Sequence, residues 1–316
     1  MVPETRRPAV GPDALAEWCT RWLGAPPAAE LFAAGFLSAV TGLRLSDGRE
    51  VVVKVRPGIP RLAGCAVVHR ALWKAGFPCP EPLVDLQPLG GYAASAEVLI
   101  PGADEPPEGG LAALSAGSLA RLVELAPGPG SVPSLTPSPS WVGWDHTEPG
   151  LWPRPEERDV DLNAYPEPRW LDRVAAAVRD RLRASASGDP VIGHGDWHPE
   201  NLRWLGPELI AVHDWDSVIC QPEQAIAGFA AVSFLGIEGP ASLAGVADSA
   251  AFLDAYQQAR GRRWTSRDHA AFWAAGLWQR AFDAKIRSLA GDPEQILTRH
   301  EARARLQRAG LNPDLA

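Results

Sequence analysis

His194-Gly195-Asp196-Trp197-His198-Pro199-Glu200-Asn201, with His213-Asp214-Trp215-Asp216 close behind, concentrates an acid, an amide and a second acid in one short piece of chain. Between Asn201 and Asp214 lie two apolar runs, Leu202–Trp204 and Leu209–Val212, separated by Leu205-Gly206-Pro207-Glu208. Turn residues between two apolar segments predict a β-hairpin. A hairpin returns the chain to its starting point, so Asn201 and Asp214 are expected to meet at its open end, with Asp196 in the loop beside them. Carboxylate and amide oxygens suit hard cations, and Mg²⁺ takes one or two protein carboxylates with water and substrate phosphates filling the rest. A further carboxylate that stays off the metal is free to orient or deprotonate a hydroxyl.

At these residues the chain resembles the aminoglycoside phosphotransferase family, relatives of choline kinases and of the eukaryotic protein kinases. The family pattern is His-Gly-Asp-x-x-x-x-Asn, followed by an Asp inside a hydrophobic-x-Asp-Trp segment, and here Asn201 falls five residues after Asp196. The resemblance implies an α+β, protein-kinase-like fold of two lobes. An antiparallel β N-terminal lobe would occupy residues 1–101. A mainly helical C-terminal lobe would occupy residues 102–316 and carry a Pro/Trp-rich insert at 126–169. The implied activity is transfer of the γ-phosphoryl of ATP or GTP to a hydroxyl of a small molecule, with Asp196 as catalytic base and Asn201 and Asp214 as Mg²⁺ ligands.

The thirty basic residues include only three lysines, Lys54, Lys74 and Lys285, in a chain otherwise rich in arginine. Lys54 sits in the β-branched strand Val51-Val52-Val53-Lys54-Val55, from which a compact ammonium on a flexible stem can reach a phosphate. In the family pattern this is the strand lysine that pairs with the nucleotide phosphates. Strands are also expected at Glu30–Ala34, Val40–Leu45, Pro82–Leu86 and Tyr92–Ile100, with helices at Asp13–Leu23 and Leu62–Ala75. The turn Gly35-Phe36-Leu37-Ser38 is where a phosphate-covering loop belongs, with the Ser38 hydroxyl as a nucleotide contact. One glycine and a serine make an ordinary turn equally well. Glu97-Val98-Leu99-Ile100-Pro101-Gly102 resembles the interlobe hinge, so backbone groups of Glu97, Val98, Leu99 and Ile100 are expected at the purine edge. The chain departs from the family at Cys65, where relatives place the glutamate that pairs with the lysine. No acid occurs between Arg56 and Pro80, so that ion pair must come from elsewhere or be left to the nucleotide.

After a helix at Leu111–Leu125, Pro127–Pro168 holds ten prolines, with Trp141, Trp144 and Trp152 inside it and seven acids along it. A segment this long and irregular inside a compact domain is functional or disordered. It reads as a wall over the acceptor, indole faces packing a ligand and acids binding its amines, with Trp152 as a substrate contact. The same indoles could equally anchor the loop to its own domain. Helices are expected at Trp170–Ala184, Ala225–Leu235, Ser249–Gln258 and Arg267–Leu289, and the tail Pro293–Ala309 reads as a solvated amphipathic helix. Asp216 is expected to hold the metal loop or face the acceptor. Asp283 lies on a helix that lines the acceptor cleft in relatives.

Composition sets limits on partners. A 316-residue chain with 46% hydrophobic and 22% charged residues reads as a soluble globular protein, expected in the cytosol. Met1–Arg7 has no apolar core behind its charges and so reads as no signal peptide, and the most apolar segment, Ala225–Ile237, is too short to cross a bilayer. Cys19, Cys65, Cys79 and Cys220 lack metal spacing. A net charge of −8 speaks against a nucleic-acid backbone and suits a cationic ligand. Neither a P-loop nor a dinucleotide-binding glycine motif is present. The expected acceptor is an antibiotic of the aminoglycoside, nucleoside, macrolide or peptide type. The alternatives are a primary-metabolite kinase for choline, homoserine or a sugar, and a kinase-like nucleotide-binding protein without turnover. A metal-dependent phosphoesterase using His198 and His213 comes last, because its other histidines are scattered. Oligomeric state is not readable.

Overall fold

In the computed structural model, residues 7–102, 104–185, 189–236 and 242–316 are described. Most of the stretch read for a leader, residues 1–6, lies outside them, as does Ile237 at the end of the apolar segment. The N-terminal lobe is an antiparallel five-stranded sheet of β1 (Pro27–Ala34), β2 (Ala39–Leu45), β3 (Glu50–Arg56), β4 (Pro82–Leu89) and β5 (Tyr92–Val98), in the order β1-β2-β3-β5-β4. Side chains alternate across a strand. In β3 this sends Val51, Val53 and Val55 into a buried core with Leu43, Leu45, Ala94 and Ala96, and turns Val52, Lys54 and Arg56 to the opposite face. Helix α1 (Pro12–Leu23) covers that core with Trp18, Cys19 and Leu23, and Gly24 ends it in the left-handed region at φ +81°. The outer face is thus closed by α1, and the lysine face is left to the cleft.

Helix α2 (Arg61–Lys74) packs elsewhere than its position in the chain suggests. Cys65, Val68 and Leu72 join the large core of the C-terminal lobe, together with Phe77 and Cys79 beyond the helix. That core is built by α3 (Leu111–Leu125), α4 (Arg169–Ser185), α5 (Glu223–Ser233), α6 (Val246–Ala259), α7 (Ser266–Ser288) and α8 (Arg299–Arg308). Two short antiparallel pairs cross it: β6 (Val191–His194) with β9 (Val218–Gln221), and β7 (Leu202–Leu205) with β8 (Glu208–Val212). The second pair is the expected hairpin, Leu202 opposite Val212. The tail differs from its reading as a solvated helix: Arg305 of α8 is buried, donating to Ala244 O and Ser249 Oγ while paired with Glu301. Alternating charges looked solvated because the sequence does not reveal that the Ala244 carbonyl and the Ser249 hydroxyl, 61 and 56 residues upstream, await this guanidinium.

The Pro/Trp-rich insert is ordered and fastened at several points. Arg179 of α4, itself buried, donates to the carbonyls of Trp144, His146, Gly150 and Leu151. The Trp144 indole N–H donates to Gln221 Oε1, and the Trp141 indole N–H to Gly195 O at 2.9 Å. Against α2 the insert comes so close that a Cβ on Gly64 would lie 2.6 Å from Pro133 O, so only glycine fits. No described helix is long and apolar enough to cross a membrane.

Candidate active site

The loop after β6 carries Asp196. Buried His194 supports it: its Nε2 lies 3.1 Å from both His213 O and Asp214 O, and its Nδ1 accepts from the Asp196 N–H. Asp196 Oδ2 accepts from Asn201 Nδ2 at 3.0 Å and lies 3.2 Å from His198 Nε2. Burial opposes a charge on His198, but the neighbouring Asp196 carboxylate outweighs it and raises the imidazole above its ordinary value. At the hairpin's open end His213 N–H donates to Asn201 O at 2.9 Å, so the two halves of the motif do meet.

Asp214 is the one described non-glycine residue with positive φ, +60°. Ser217 holds this turn through its N–H on Asp214 O and its hydroxyl on Asp214 Oδ2, both at 2.9 Å. The other oxygen receives Lys54 Nζ at 2.5 Å, a contact spanning 160 positions of chain. Burial would raise the Asp214 carboxyl, yet Lys54 and Arg56 beside it pull it well below the ordinary range, so it stays ionised. An ionised carboxylate and Asn201 Oδ1, which has no partner among the described residues, are the hard donors Mg²⁺ takes. No described group of three or more His, Cys, Asp or Glu side chains is arranged to hold a metal alone.

The other expected site residues divide. Ser38 is half-buried in the turn between β1 and β2, where Gly35 has φ +94° and a Cβ would clash with Ser38 O. Strand β5 stops at Val98, two residues short of the expected Ile100. Val98 N–H and Leu99 N–H already donate to Glu81 O and Glu50 O, and Ile100 O accepts from Arg203. Of Val98, Leu99 and Ile100, that leaves the Ile100 N–H without a partner among the described residues. Glu97 turns its side chain inward, 3.8 Å from His213 Nδ1. Burial works against its charge, but His213, His69 and Lys54 hold it below the ordinary carboxylate range. Asp283 is pushed up to about 7 by burial, against the pull of Arg280, with repulsion from Glu157 and Asp196 adding to the rise. Asp283, Glu157 and Asp196 therefore share one region.

Two expectations are corrected. Trp152 is 2% exposed, packed on Trp278 and Phe282 with its N–H on Asp172 Oδ1, so it is core and does not face an acceptor. An indole has enough apolar area to make the core its better place once its N–H is satisfied. Asp216 faces Lys54 and Arg56 rather than the acceptor region. Three arginines escaped the sequence reading: Arg56, Arg61 and Arg203. Arg56 was findable, two residues after Lys54 on the same strand face. Nothing local in the sequence flags the other two, whose partners are distant backbone carbonyls.

The model of the phosphotransferase enzyme family (APH) matches residues 28–222. No curated protein matches the sequence at a significant level. Among solved structures, a spectinomycin phosphotransferase, APH(9)-Ia, with ADP and spectinomycin aligns at TM-score 0.57 and 13% identity, over 96% of this chain and 95% of that one. A thermostable mutant of the aminoglycoside phosphotransferase APH(4)-Ia, in complex with ADP and hygromycin B, aligns at 0.55 and 14%, over 94% and 97%. A protein from Thermobifida fusca YX-ER1 assigned as a fructosamine-3-kinase aligns at 0.54 and 18%, over 94% and 100%. At these identities the likeness is one of fold.

Proposed function

Since this chain belongs to the phosphotransferase enzyme family, we propose that it is a Mg²⁺-dependent kinase moving the γ-phosphoryl of ATP or GTP to a hydroxyl of a small molecule. The observation that carries this reading is the Lys54–Asp214 pair, which sets the strand lysine of one lobe against the loop acid of the other, with the Asp196–Asn201 loop adjoining. Lys54 would steady the α and β phosphate oxygens. Asn201 and Asp214 would hold Mg²⁺, whose charge offsets that of the phosphate oxygens when it is bound. Asp196, kept in place by Asn201 and His198, would orient the acceptor hydroxyl and take its proton as the hydroxyl oxygen attacks in line. No side chain is needed as a phosphate carrier.

Melting curves with ATP or GTP, each with and without Mg²⁺, test this first. A Mg²⁺-dependent rise with at least one nucleotide is expected, and saturating ligand at a hundred times Kd adds about 2.7 kcal/mol. Absence of any nucleotide shift would sink the reading.

The acids gathered near Asp196 favour an acceptor with a basic nitrogen, in keeping with an antibiotic of the aminoglycoside, nucleoside, macrolide or peptide type. Asp283 supplies the pH test. It is protonated below about 7 and charged above, so a cationic acceptor should bind more tightly as pH rises through that value, and Asp283→Asn should flatten the profile. The sign for stability is opposite. A carboxyl raised in the fold contributes stability that is present at acid pH and is lost as pH rises through about 7. Wild type should thus lose more melting temperature than Asp283→Asn between about pH 5 and about pH 8.

A further inference from the structure

Lys54 stands between two carboxylates. Its Nζ is 2.5 Å from Asp214 Oδ1 and 3.1 Å from Asp216 Oδ1. On the phosphotransferase reading, which the role of Asp216 presupposes, Asp214 turns to a metal ion, and Asp216 is then the carboxylate left on the lysine. Asp216 is held on every other side. Its second carboxylate oxygen pairs with Arg56, and its carbonyl accepts from Arg61 Nη1 at 2.6 Å, with Cys65 Sγ 3.6 Å away. Arg61 Nη2 reaches on to Val218 O at 2.6 Å, so the start of α2 is locked to the middle and the far end of the turn that carries Asp216. Arg56 and Arg61 are buried, and α2 contributes no acid of its own. Cys65 instead shares a cavity of about 50 Å³ with Lys54, Arg56, Glu97 and Asp216.

We propose that Asp216 is the positioning residue for Lys54, fixed in place by Arg56 and Arg61, and does the work of the acid that α2 lacks at Cys65. The physical need is clear: an ammonium on a four-carbon stem has many rotamers, and one immobile counter-charge selects the one that points at the phosphates. Asp216 touches neither phosphate nor acceptor and acts through the lysine alone.

The test uses the full chain and two readouts that need no turnover. ATP affinity is measured calorimetrically with Mg²⁺. Acetylation of Lys54 by an N-hydroxysuccinimide ester is followed by peptide mass spectrometry against exposed Lys74, with buried Lys285 as a further check of folding. Asp216→Asn is expected to weaken ATP about tenfold, the loss of roughly one charge-assisted contact, and to speed Lys54 acetylation relative to Lys74. Adding Cys65→Glu to that variant should restore most of the ATP affinity and slow Lys54 labelling again, a result that a merely structural role for Asp216 would not give. Asp216→Glu keeps the charge and should stay within about threefold of wild type in ATP affinity. If the amide variant does not fold, this conservative variant carries the test, and a loss there as large as tenfold overturns the proposal. So does an Asp216→Asn protein with wild-type ATP affinity and unchanged Lys54 labelling. Wild-type protein that binds neither ATP nor GTP would overturn the phosphotransferase reading itself, and this role with it; where GTP alone binds, the same measurements are made with GTP.

Discussion

Asp196→Asn is expected to lower kcat by about three orders of magnitude while leaving Mg²⁺-nucleotide affinity within a few-fold of wild type. The amide keeps the size of the side chain and can still meet His198 and Asn201, so the loop need not rearrange. What it loses is the capacity to accept the acceptor's proton. A base acting only while the hydroxyl attacks contributes to the transition state and not to donor binding, which is why the loss should fall on kcat. Steady-state kinetics with the first acceptor found, together with calorimetry of the variant, checks both halves. A variant turning over near the wild-type rate would remove Asp196 from the base role.

The opposite pattern is expected at Asp214→Asn. Here kcat/KM should also fall on the order of 10³-fold, but the Mg²⁺-dependent part of nucleotide affinity should go with it. Asp214 is the carboxylate that the cations around it keep charged, and an amide brings no charge to a metal bridging phosphates. Calorimetry of ATP binding with Mg²⁺ and with a chelator gives the difference directly. A variant that still gains affinity from Mg²⁺ as wild type does would falsify the ligand assignment. Together the two variants separate the acid that handles the acceptor from the one that handles the donor.

Much of this arrangement was legible in the residues. The β3 pattern puts Lys54 on a face of its own because alternation has period two, and the turn at Gly206-Pro207 between apolar runs returns Asp214 to Asn201. Four-residue strands such as β6 and β9 were missed, since so short an apolar run carries no period of its own. Trp152 was misread for a related reason: composition marks a tryptophan as important without saying whether it packs a ligand or a core. Asp216 was ambiguous because its partners, Lys54 and Arg56, lie about 160 residues upstream and meet it only through the fold. Arginines such as Arg61, Arg179 and Arg203 stayed silent, as their acceptors are backbone carbonyls that no local pattern names.

Arg203 has a mechanical consequence. From β7, two residues past Asn201, it grips the carbonyls of Ile100, Pro101 and Gly102, while Glu105 N–H donates to Trp204 O and Gly206 N–H to Glu105 O. The interlobe crossing is therefore riveted to the same hairpin whose far end carries Asn201 and leads into Asp214. On the other side Leu99 is tied to Glu50 of the sheet. In this connection the span free of such ties shrinks to the link between Leu99 and Ile100, upstream of Pro101. The crossings into and out of α2 are pinned to the lower piece as well, by Arg61 on Asp216 O and Val218 O and by Val212 N–H on Pro78 O, so a nucleotide base seated at Ile100 would rest on the same plinth as Asn201 and Asp214.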